Sequence, residues 1–402
     1  MICFAPLVHF INQLCRTVFG AGFVLDTLLC YGTLAGMILA SLKQLHFQIK
    51  IDALLVYVVF AVAFAFSYSF FGENRTYMFT EWADFAGNPA YLLFVFSLPG
   101  YVFMRYITDY DRLFDTCRHF SVAAVFCSLG SFYLMSLIDR QPEYMSFSYN
   151  LLFATTFSSI AFFEKKKILS LIAAIIGVLM IFFIGARGPL VCCLVGMAAY
   201  FLISKVSVAK KVLLVFSLLT IGLVVILLWE QMLLSMKDAA DSLGISSRTI
   251  DLLLTGDISN TSGRGEIQQK IIAGFTLFGR GLYGDRIVGE NHYSHNLVIE
   301  LISQWGMLLG TVLVITLGIL FFKGFRTKNT SLRLLILVFF STSVVKLMLS
   351  ESYLAHNAVF FVLIAACVNA IDAPAAQPLV GEPEPAKEKK SKYIKSRVWC
   401  KG

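Results

Sequence analysis

Apolar runs long enough to cross a lipid bilayer recur along most of the 402-residue chain. A helix needs about 20 apolar residues to span the hydrocarbon core, and backbone groups inside lipid have to bond within their own segment, so such runs are expected to be helical. The sequence therefore predicts an all-α polytopic membrane protein. The predicted spans are about 21–42, 51–71, 89–106, 120–138, 146–163, 168–184, 189–204, 212–231, 295–322, 332–350 and 353–372.

The two ends of the chain differ from the apolar segments between them. Residues 1–19 form a short apolar run that His9, Asn12 and Arg16 interrupt. It is either a span or an interfacial helix, so eleven or twelve spans are expected. The tail 373–402 is rich in Pro, Ala, Glu and Lys, which predicts a disordered basic segment after a single transmembrane domain over residues 1–372.

The charged residues indicate how the spans are oriented. Only 14% of the residues are charged, against about 25% in an ordinary soluble domain. The net charge of +8 comes from short basic clusters between spans, which is the positive-inside pattern and does not indicate nucleic-acid binding. The clusters at 165–167, 205–211 and 323–333 are expected in the cytoplasm with the tail, so the hairpin tip at Arg187 and the large loop 232–294 face outward.

Two further connectors are expected, at 72–87 and at Thr108 to His119. The nine cysteines follow no metal-binding pattern. The cysteines contain no CxxC pair and lie mainly in apolar segments, so no metal site is predicted.

The stretch from Thr261 to Gly310 is the richest in polar candidates. Ser262 is a plausible N-cap for a short amphipathic helix that starts near Arg264. A glycine-rich turn follows, and then an apolar helix opened by His295 and Asn296. The apolar side of the short helix is predicted to comprise Ile267, Ile271, Ile272 and Phe275.

Four arginines are candidates for binding an anion. Arg187 lies between Gly185 and Gly188, where a planar guanidinium can approach a phosphate; the alternative is a snorkelling interfacial arginine. Arg264 at a helix N-terminus makes a favourable anion site, or it is simply solvated. Arg280 and Arg286 flank the glycine-rich turn, which is no nucleotide fingerprint because no strand precedes it.

The residues around His295 are candidates for acid–base chemistry and for binding a substrate. A histidine with a pKa near neutrality can accept a proton from a sugar hydroxyl, or it can anchor the helix at the interface. Asn296 and Glu300 are four residues apart, which predicts a shared helix face, and a carboxyl group at membrane depth is costly enough to suggest a function. His292 and Tyr293 lie further out in the loop. Lys346, Glu351 and His356 are also predicted near the outer side.

Three motifs together resemble the bacterial O-antigen ligase and O-antigen polymerase superfamily. They are Gly185-Ala186-Arg187-Gly188, then Ser262-Gly263-Arg264, and then His295-Asn296 followed after nine residues by Gly306. The resemblance covers roughly residues 145–370, and the first half matches only in hydropathy. One position departs from the ligase pattern, which has Gly, Thr or Tyr where this chain has Leu309.

The resemblance implies a metal-independent glycosyltransferase of the GT-C type, with no cofactor, facing outward from the bacterial cytoplasmic membrane. Its donor would be a glycan on undecaprenyl pyrophosphate. Arg187 and Arg264 would hold the pyrophosphate and His295 would activate or orient the acceptor hydroxyl, while Arg280, Arg286, His292, Tyr293, Asn296 and Glu300 are the further candidates for substrate binding. The resemblance leaves open whether a flippase and a chain-length regulator assist the protein.

Several functions stay open on the sequence. A polymerase would add the glycan to another lipid-linked repeat unit, and the departure at Leu309 favours it slightly. A ligase would add the glycan to lipid A–core oligosaccharide. A lipid-linked oligosaccharide transporter would have internal repeats and broken helices with midplane charges. A peptidoglycan glycan-strand polymerase would depend on a loop aspartate, for which Asp238, Asp241, Asp251, Asp257 and Asp285 are available.

Overall fold

The computed structural model describes residues 10, 32, 50–79, 89–137, 144–184, 187–204, 234, 237–238, 263–354 and 357–372. The predicted spans 21–42 and 212–231, the run 1–19 and the tail 373–402 lie outside the described residues, apart from Phe10 and Gly32. The large loop is described from Gly263 onward, together with three residues between 234 and 238.

Every regular element of these described ranges is helical, and they contain no β-strand, as the all-α prediction requires. The chain makes π-helical turns at Leu92–Ser97 and Phe340–Val344 and a 3-10 turn at Gly72–Asn74. The α-helices are α1 Ile51–Phe70, α2 Arg75–Met78, α3 Pro89–Tyr91, α4 Leu98–Tyr106, α5 Tyr110–Leu137, α6 Tyr144–Lys165, α7 Ile168–Ile184, α8 Arg187–Ile203, α9 Arg264–Ala273, α10 Gly284–Val288, α11 Leu297–Phe325, α12 Thr330–Phe339, α13 Val345–Leu349 and α14 Ala358–Asp372.

Three helical segments of the described chain are long and apolar enough to cross a membrane, namely Ile51–Phe70, Leu297–Phe325 and Thr330–Leu349. Shorter apolar helices of 10–17 residues accompany them. Much of the outer apolar surface is exposed: Ile51 of α1 is 83% exposed, Leu202 of α8 is 79% exposed and Leu194 is 69% exposed. Apolar surface on this scale indicates contact with lipid or with another apolar partner.

Two predicted boundaries are wrong. The segment from Tyr110 to His119 was predicted as part of a connector, but it forms the first turns of α5. The Asp109 side chain accepts a hydrogen bond from the Arg112 N–H (2.9 Å), and Arg118 pairs with Asp115 three residues earlier (3.6 Å). Polar residues can therefore continue a helix beyond its apolar part, which hydropathy does not detect. At the other end of the chain, α14 begins at Ala358, five residues after the predicted start.

The core is built around α12 and α14. Residues Leu334–Phe339 of α12 are all buried, and α14 packs against α4, α11 and α12. The Arg105 guanidinium lies at one end of this core, bound to Asp52 of α1 (2.5 Å), Asp372 of α14 (2.7 Å) and the Asn369 side chain. The connections α1–α2, α9–α11 and α13–α14 meet at the opposite end, where Asn74 donates to the carbonyls of Arg280 and Leu282.

A sharp break at Gly306 divides α11 into two helices. Gly306 has φ 84° and ψ 165°, a backbone conformation that is open essentially only to glycine. A Cβ atom on Gly310 would lie 2.7 Å from the Cα of Ile302. In a straight helix residues eight apart are about 12 Å apart, so the two halves fold against each other. The predicted span at 295–322 is therefore interrupted at Gly306, and its second half still has about 28 Å of helix.

The loop before α10 satisfies the backbone groups that the break exposes. The N–H groups of Arg280 and Gly281 donate to the Ser303 and Gln304 carbonyls at 3.0 Å each. On the other side of the break, the Met307 N–H donates to the Thr276 carbonyl at 3.0 Å. Residues 276–281 are thus fixed beside α11, which places the glycine-rich turn next to the residues described below.

Candidate active site

The turn that follows α13, Leu349–Tyr353, is the point where the predicted residues meet; it is called the Ser350 turn below. The guanidinium of Arg264 donates to the Leu349 carbonyl at 2.6 Å. The Tyr293 hydroxyl donates to the Ser350 carbonyl at 2.8 Å, and His295 Nδ1 lies 3.3 Å from the same oxygen. Side chains from the large loop therefore converge on two consecutive carbonyls of a turn far away in sequence.

His295 has one ring nitrogen engaged, and the other has no hydrogen-bond partner among the described residues. A carbonyl oxygen only accepts hydrogen bonds, so Nδ1 carries the proton in its contact with Ser350 and Nε2 keeps its lone pair. Burial, and secondly the charge of Arg264, lowers the pKa of His295 to about 4. The backbone of His295 has φ 52°, a strained left-handed conformation in which histidine is enriched. The residue is consequently a neutral, oriented hydrogen-bond acceptor at physiological pH.

Arg264 occupies the first turn of α9, as predicted, but its cap differs from the prediction. The N-cap position is Gly263 with φ 77°, so Ser262 is not the cap; Ser262 itself lies outside the described residues. The first N–H groups of α9 have no side-chain cap, and together with the half-buried guanidinium they form an electropositive end. Of the predicted apolar side of this helix, Ile271 is buried, whereas Ile272 is 48% exposed.

Arg187 begins α8, and its side chain is outside the described residues, as are Gly185 and Ala186. The neighbouring Gly188 lies against the ring of Tyr149, because a Cβ atom there would be 3.2 Å from the Tyr149 Cζ. Tyr149 in turn hydrogen-bonds the Ser350 side chain. The start of α8 is therefore brought next to the Ser350 turn.

A buried polar network lies behind these groups and fixes the Ser350 turn. Glu300 is fully buried and accepts hydrogen bonds from the Ser352 hydroxyl and from the Tyr353 N–H (3.3 Å). The Gln304 amide donates to Asp285 (2.8 Å) and to Glu300 (3.3 Å), and so links the two carboxyl groups. Burial raises the pKa of Asp285.

The same network also reaches the residue that precedes His295. Asp285 accepts a hydrogen bond from the N–H of Ser294, the residue before His295, at 3.2 Å. Gln268 of α9 donates to the Ser294 carbonyl, also at 3.2 Å. Asp285 and Glu300 therefore hold the two segments that meet where His295 contacts Ser350, and neither carboxyl group lies at the surface.

The remaining candidates fall into different places. Asn296 is the N-cap of α11, where its side chain accepts from the N–H groups of Val298 and Ile299. It precedes the helix, so the predicted helix face shared with Glu300 does not exist. The Arg286 guanidinium lies 5.0 Å from the Tyr283 ring and 5.9 Å from the Tyr293 ring. The Tyr293 ring in turn lies 4.1 Å from the His295 ring. His292 is exposed. Arg280 donates to the Gly274 carbonyl (3.0 Å) and does not contact the Ser350 turn.

Sequence reasoning missed Tyr149, Gln304 and the Ser350 turn itself. Gln304 lies four residues after Glu300, so the pair had a helical spacing that predicts contact. Tyr149 carried no signal, because its role depends on packing between α6, α8 and the turn. Lys346 pairs with Glu351 at 2.6 Å beside the Tyr149 ring, while His356 lies outside the described residues.

Within the described ranges, no three His, Cys, Asp or Glu side chains are grouped to hold a metal ion. The site combines a neutral imidazole acceptor, a cation at a helix start and a hydrogen-bond network behind both. The chain matches no protein-family model, no curated protein and no solved structure.

Proposed function

We propose that the chain is an integral membrane glycosyltransferase that polymerises lipid-linked repeat units. The observation that supports it most directly is the meeting of Arg264 and His295 on the Leu349 and Ser350 carbonyls, at 2.6 and 3.3 Å. These two residues belong to two of the motifs on which the resemblance rests, and they lie 31 positions apart in the sequence. A cation beside a neutral acceptor is what transfer from a pyrophosphate donor to a hydroxyl requires.

The proposal includes a polytopic arrangement of eleven or twelve spans in a bacterial cytoplasmic membrane. Its support is that residues predicted on one side of the membrane contact one another. Predicted inner residues meet in the pairs Arg105–Asp372 and Tyr200–Glu164 (2.7 and 3.3 Å). Predicted outer residues meet in the contacts of Asn74 with Arg280 and of Arg264 with Leu349. The active site would then face the extracytoplasmic side.

The reaction is an attack of an acceptor hydroxyl on the anomeric carbon of the donor sugar. The new carbon–oxygen bond forms as the bond to the pyrophosphate breaks, and the pyrophosphate leaves with the electron pair. Arg264, with Arg187, stabilises the charge that develops on it, an electrostatic role that favours the transition state. The hydroxyl proton passes to Nε2 of His295, whose orientation Ser350 sets through Nδ1.

The test is a glycan ladder from a deletion strain complemented with the wild type, Arg187→Ala, Arg264→Gln or His295→Asn. Arg75→Gln is the matched control, because Arg75 is an exposed arginine of α2 that stacks on Tyr68. We expect single lipid-linked repeats to accumulate in the three site variants at wild-type protein level, and a normal ladder in the control. Long lipid-linked chains without transfer would instead identify a ligase. Normal ladders in every variant would contradict the site.

One observation favours a lipid-linked oligosaccharide transporter as the second candidate. A helix broken at Gly306 beside buried carboxyl groups is typical of transporter binding sites. Against it, the exposed backbone groups of the break are paired with residues 276–281 and not left for a substrate. A vesicle assay with labelled lipid-linked repeats separates the two. A transporter would move the repeats across the bilayer, and its His295→Asn variant would still transport them. A polymerase would lengthen the repeats without moving them.

A further inference from the structure

A cleft lies between the end of α1 and the loop before α10, and none of its lining residues belongs to the Ser350 turn. Its volume is about 510 Å³, which is within the range of ligand-binding pockets, about 300–1,000 Å³. Its walls come from Phe70–Asn74 on one side and Thr276–Arg280 on the other. The hydrogen bonds of residues 276–281 to the broken α11 hold the second wall in place.

The apolar wall of the cleft is continuous with the exposed apolar surface of the protein. Phe70 is 72% exposed, Phe278 is 82% exposed and Leu277 is 51% exposed, and all three line the cleft. Phe70 ends α1, whose outward residues, such as Val62, are also exposed and apolar. In a bilayer a hydrocarbon chain could therefore lie along α1 and reach the cleft without crossing polar surface.

The polar wall offers hydrogen-bond donors and hydrogen-bond acceptors that have no partner among the described residues. Nε of Arg280 donates to the Gly274 carbonyl, and among the described residues its two terminal nitrogens have no partner. Asn74 is fully buried and donates from Nδ2 to two carbonyls, but its Oδ1 has no hydrogen-bond partner, and the same is true of the buried Thr276 hydroxyl. Glu73 is exposed and lines the cleft, and it has no ion pair with any residue that the structure describes. Such a wall suits a phosphate at Arg280 together with hydroxyl donors at Asn74 and Glu73.

We propose that this cleft binds the head group of a membrane amphiphile, a long-chain hydrocarbon phosphate or pyrophosphate that carries a sugar. Its assignment as the site of the acceptor lipid rests on the proposed function, which needs two lipid-linked substrates at once. The donor phosphate is then held at Arg264 and the acceptor phosphate at Arg280. Two separate arginine sites explain why Arg280 does not contact the Ser350 turn.

The test is photo-crosslinking of the protein in phosphatidylcholine nanodiscs by a polyprenyl phosphate with a diazirine near its phosphate, followed by peptide mapping. We expect saturable labelling at residues 70–74 and 276–280. Arg280→Gln should lower it about tenfold, as expected for loss of a charge-assisted pair. The control Arg75→Gln should leave it unchanged. Phe278→Ser, at a mostly exposed position of the cleft, should weaken labelling, whereas Leu194→Ser, at an exposed apolar position of α8 outside the cleft lining, should not. The pair tests the hydrocarbon wall without disturbing the core.

Two results would overturn the proposal. The first is equal labelling of the cleft in Arg280→Gln and wild type, and the second is displacement of the probe by inorganic pyrophosphate as effectively as by unlabelled polyprenyl phosphate. The same peptide digest also shows whether the probe labels residues near Leu349 and His295, and whether that labelling is lost in the Arg264→Gln variant. If that labelling survives while cleft labelling fails the test, only the acceptor site is wrong. If glycan ladders are normal in the Arg264 variant but the cleft is labelled, only the proposed function is wrong.

Discussion

At the scale of single residues, His295 combines features that are each unfavourable for stability. Its backbone has a positive φ, its ring is largely buried, and the nearby Arg264 charge disfavours its protonated form. Strained residues of this kind persist only where the surroundings over-determine them. Here Asp285 holds the preceding residue and Ser350 binds the ring. The strain therefore indicates a selected orientation of the imidazole.

The lowered pKa of His295 predicts an unusual pH dependence. For an ordinary histidine, with a pKa near 6.5, the neutral fraction would fall about tenfold from pH 7.5 to pH 5.5. With the pKa at about 4, kcat/KM for polymerisation should stay within about twofold over this range. Because the folded pKa lies below the unfolded one, the same group also withdraws stability as the pH falls from about 6.5 to 4. Initial rates of lipid-linked glycan elongation measure the profile.

Arg264→Gln gives the control for this interpretation. Removing the guanidinium removes the second cause of the lowered pKa, so the acid limb of the residual activity should move toward neutral pH. An acid limb between pH 6 and 7 in the wild type would contradict the lowered pKa of His295. His295→Asn tolerates the left-handed backbone and should be flat and inactive throughout.

At the scale of elements, the break in α11 decides where the loop lies. Gly306 and Gly279 face each other so closely that a Cβ on Gly306 would lie 2.5 Å from the carbonyl carbon of Phe278. We expect Gly306→Ala to destabilise the protein by about 3 kcal/mol or more, through backbone strain and this clash. The matched control is Gly318→Ala in the same helix, where nothing lies within 4 Å. It should be neutral or stabilising by up to about 1 kcal/mol.

Thermal unfolding of the two variants in detergent, followed by size-exclusion fluorescence, compares them directly. Equal melting temperatures would mean that α11 is not broken in the way described. If Gly306→Ala folds but loses only polymerisation, the break matters for the site and not for stability.

The Arg105 cluster fixes the other end of the elements. The Arg105 side chain is 7% exposed, and its guanidinium binds carboxyl groups of α1 and α14. Arg105→Leu should lower the free energy of unfolding by about 2 kcal/mol, less than for a fully buried pair because Asp372 is 56% exposed. Lys270→Ala removes the exposed Lys270–Glu290 pair and should change stability by less than about 0.5 kcal/mol. Chemical denaturation in mixed micelles would measure both; a loss as small for Arg105→Leu as for Lys270→Ala would contradict the role of the cluster.

At the scale of the whole molecule, hydropathy located most described helices because they are long apolar runs. It could not locate the polar first turns of α5 or the fold-back at Gly306, since charged helical turns and a single glycine leave the average hydropathy almost unchanged. The candidate residues Arg264 and His295 were found through motifs. Their meeting place on the Ser350 turn was not, because a backbone carbonyl as a partner carries no sequence signal.

The sidedness of the fold predicts which positions react from which face of the membrane. Glu73 and Glu290 lie at the end that carries the Ser350 turn, whereas Lys166 and Lys328 lie in connections at the Arg105 end, and all four are exposed. Single cysteine substitutions at Glu73 and Glu290 should react with a membrane-impermeant maleimide in right-side-out vesicles, and those at Lys166 and Lys328 only in inverted vesicles. The unsubstituted chain corrects for native cysteines, of which Cys192, Cys193 and Cys367 are buried. Labelling of Glu73→Cys and Lys328→Cys from the same face would contradict both the proposed topology and an extracytoplasmic site, because Glu73 lies at the end with the Ser350 turn and Lys328 at the Arg105 end.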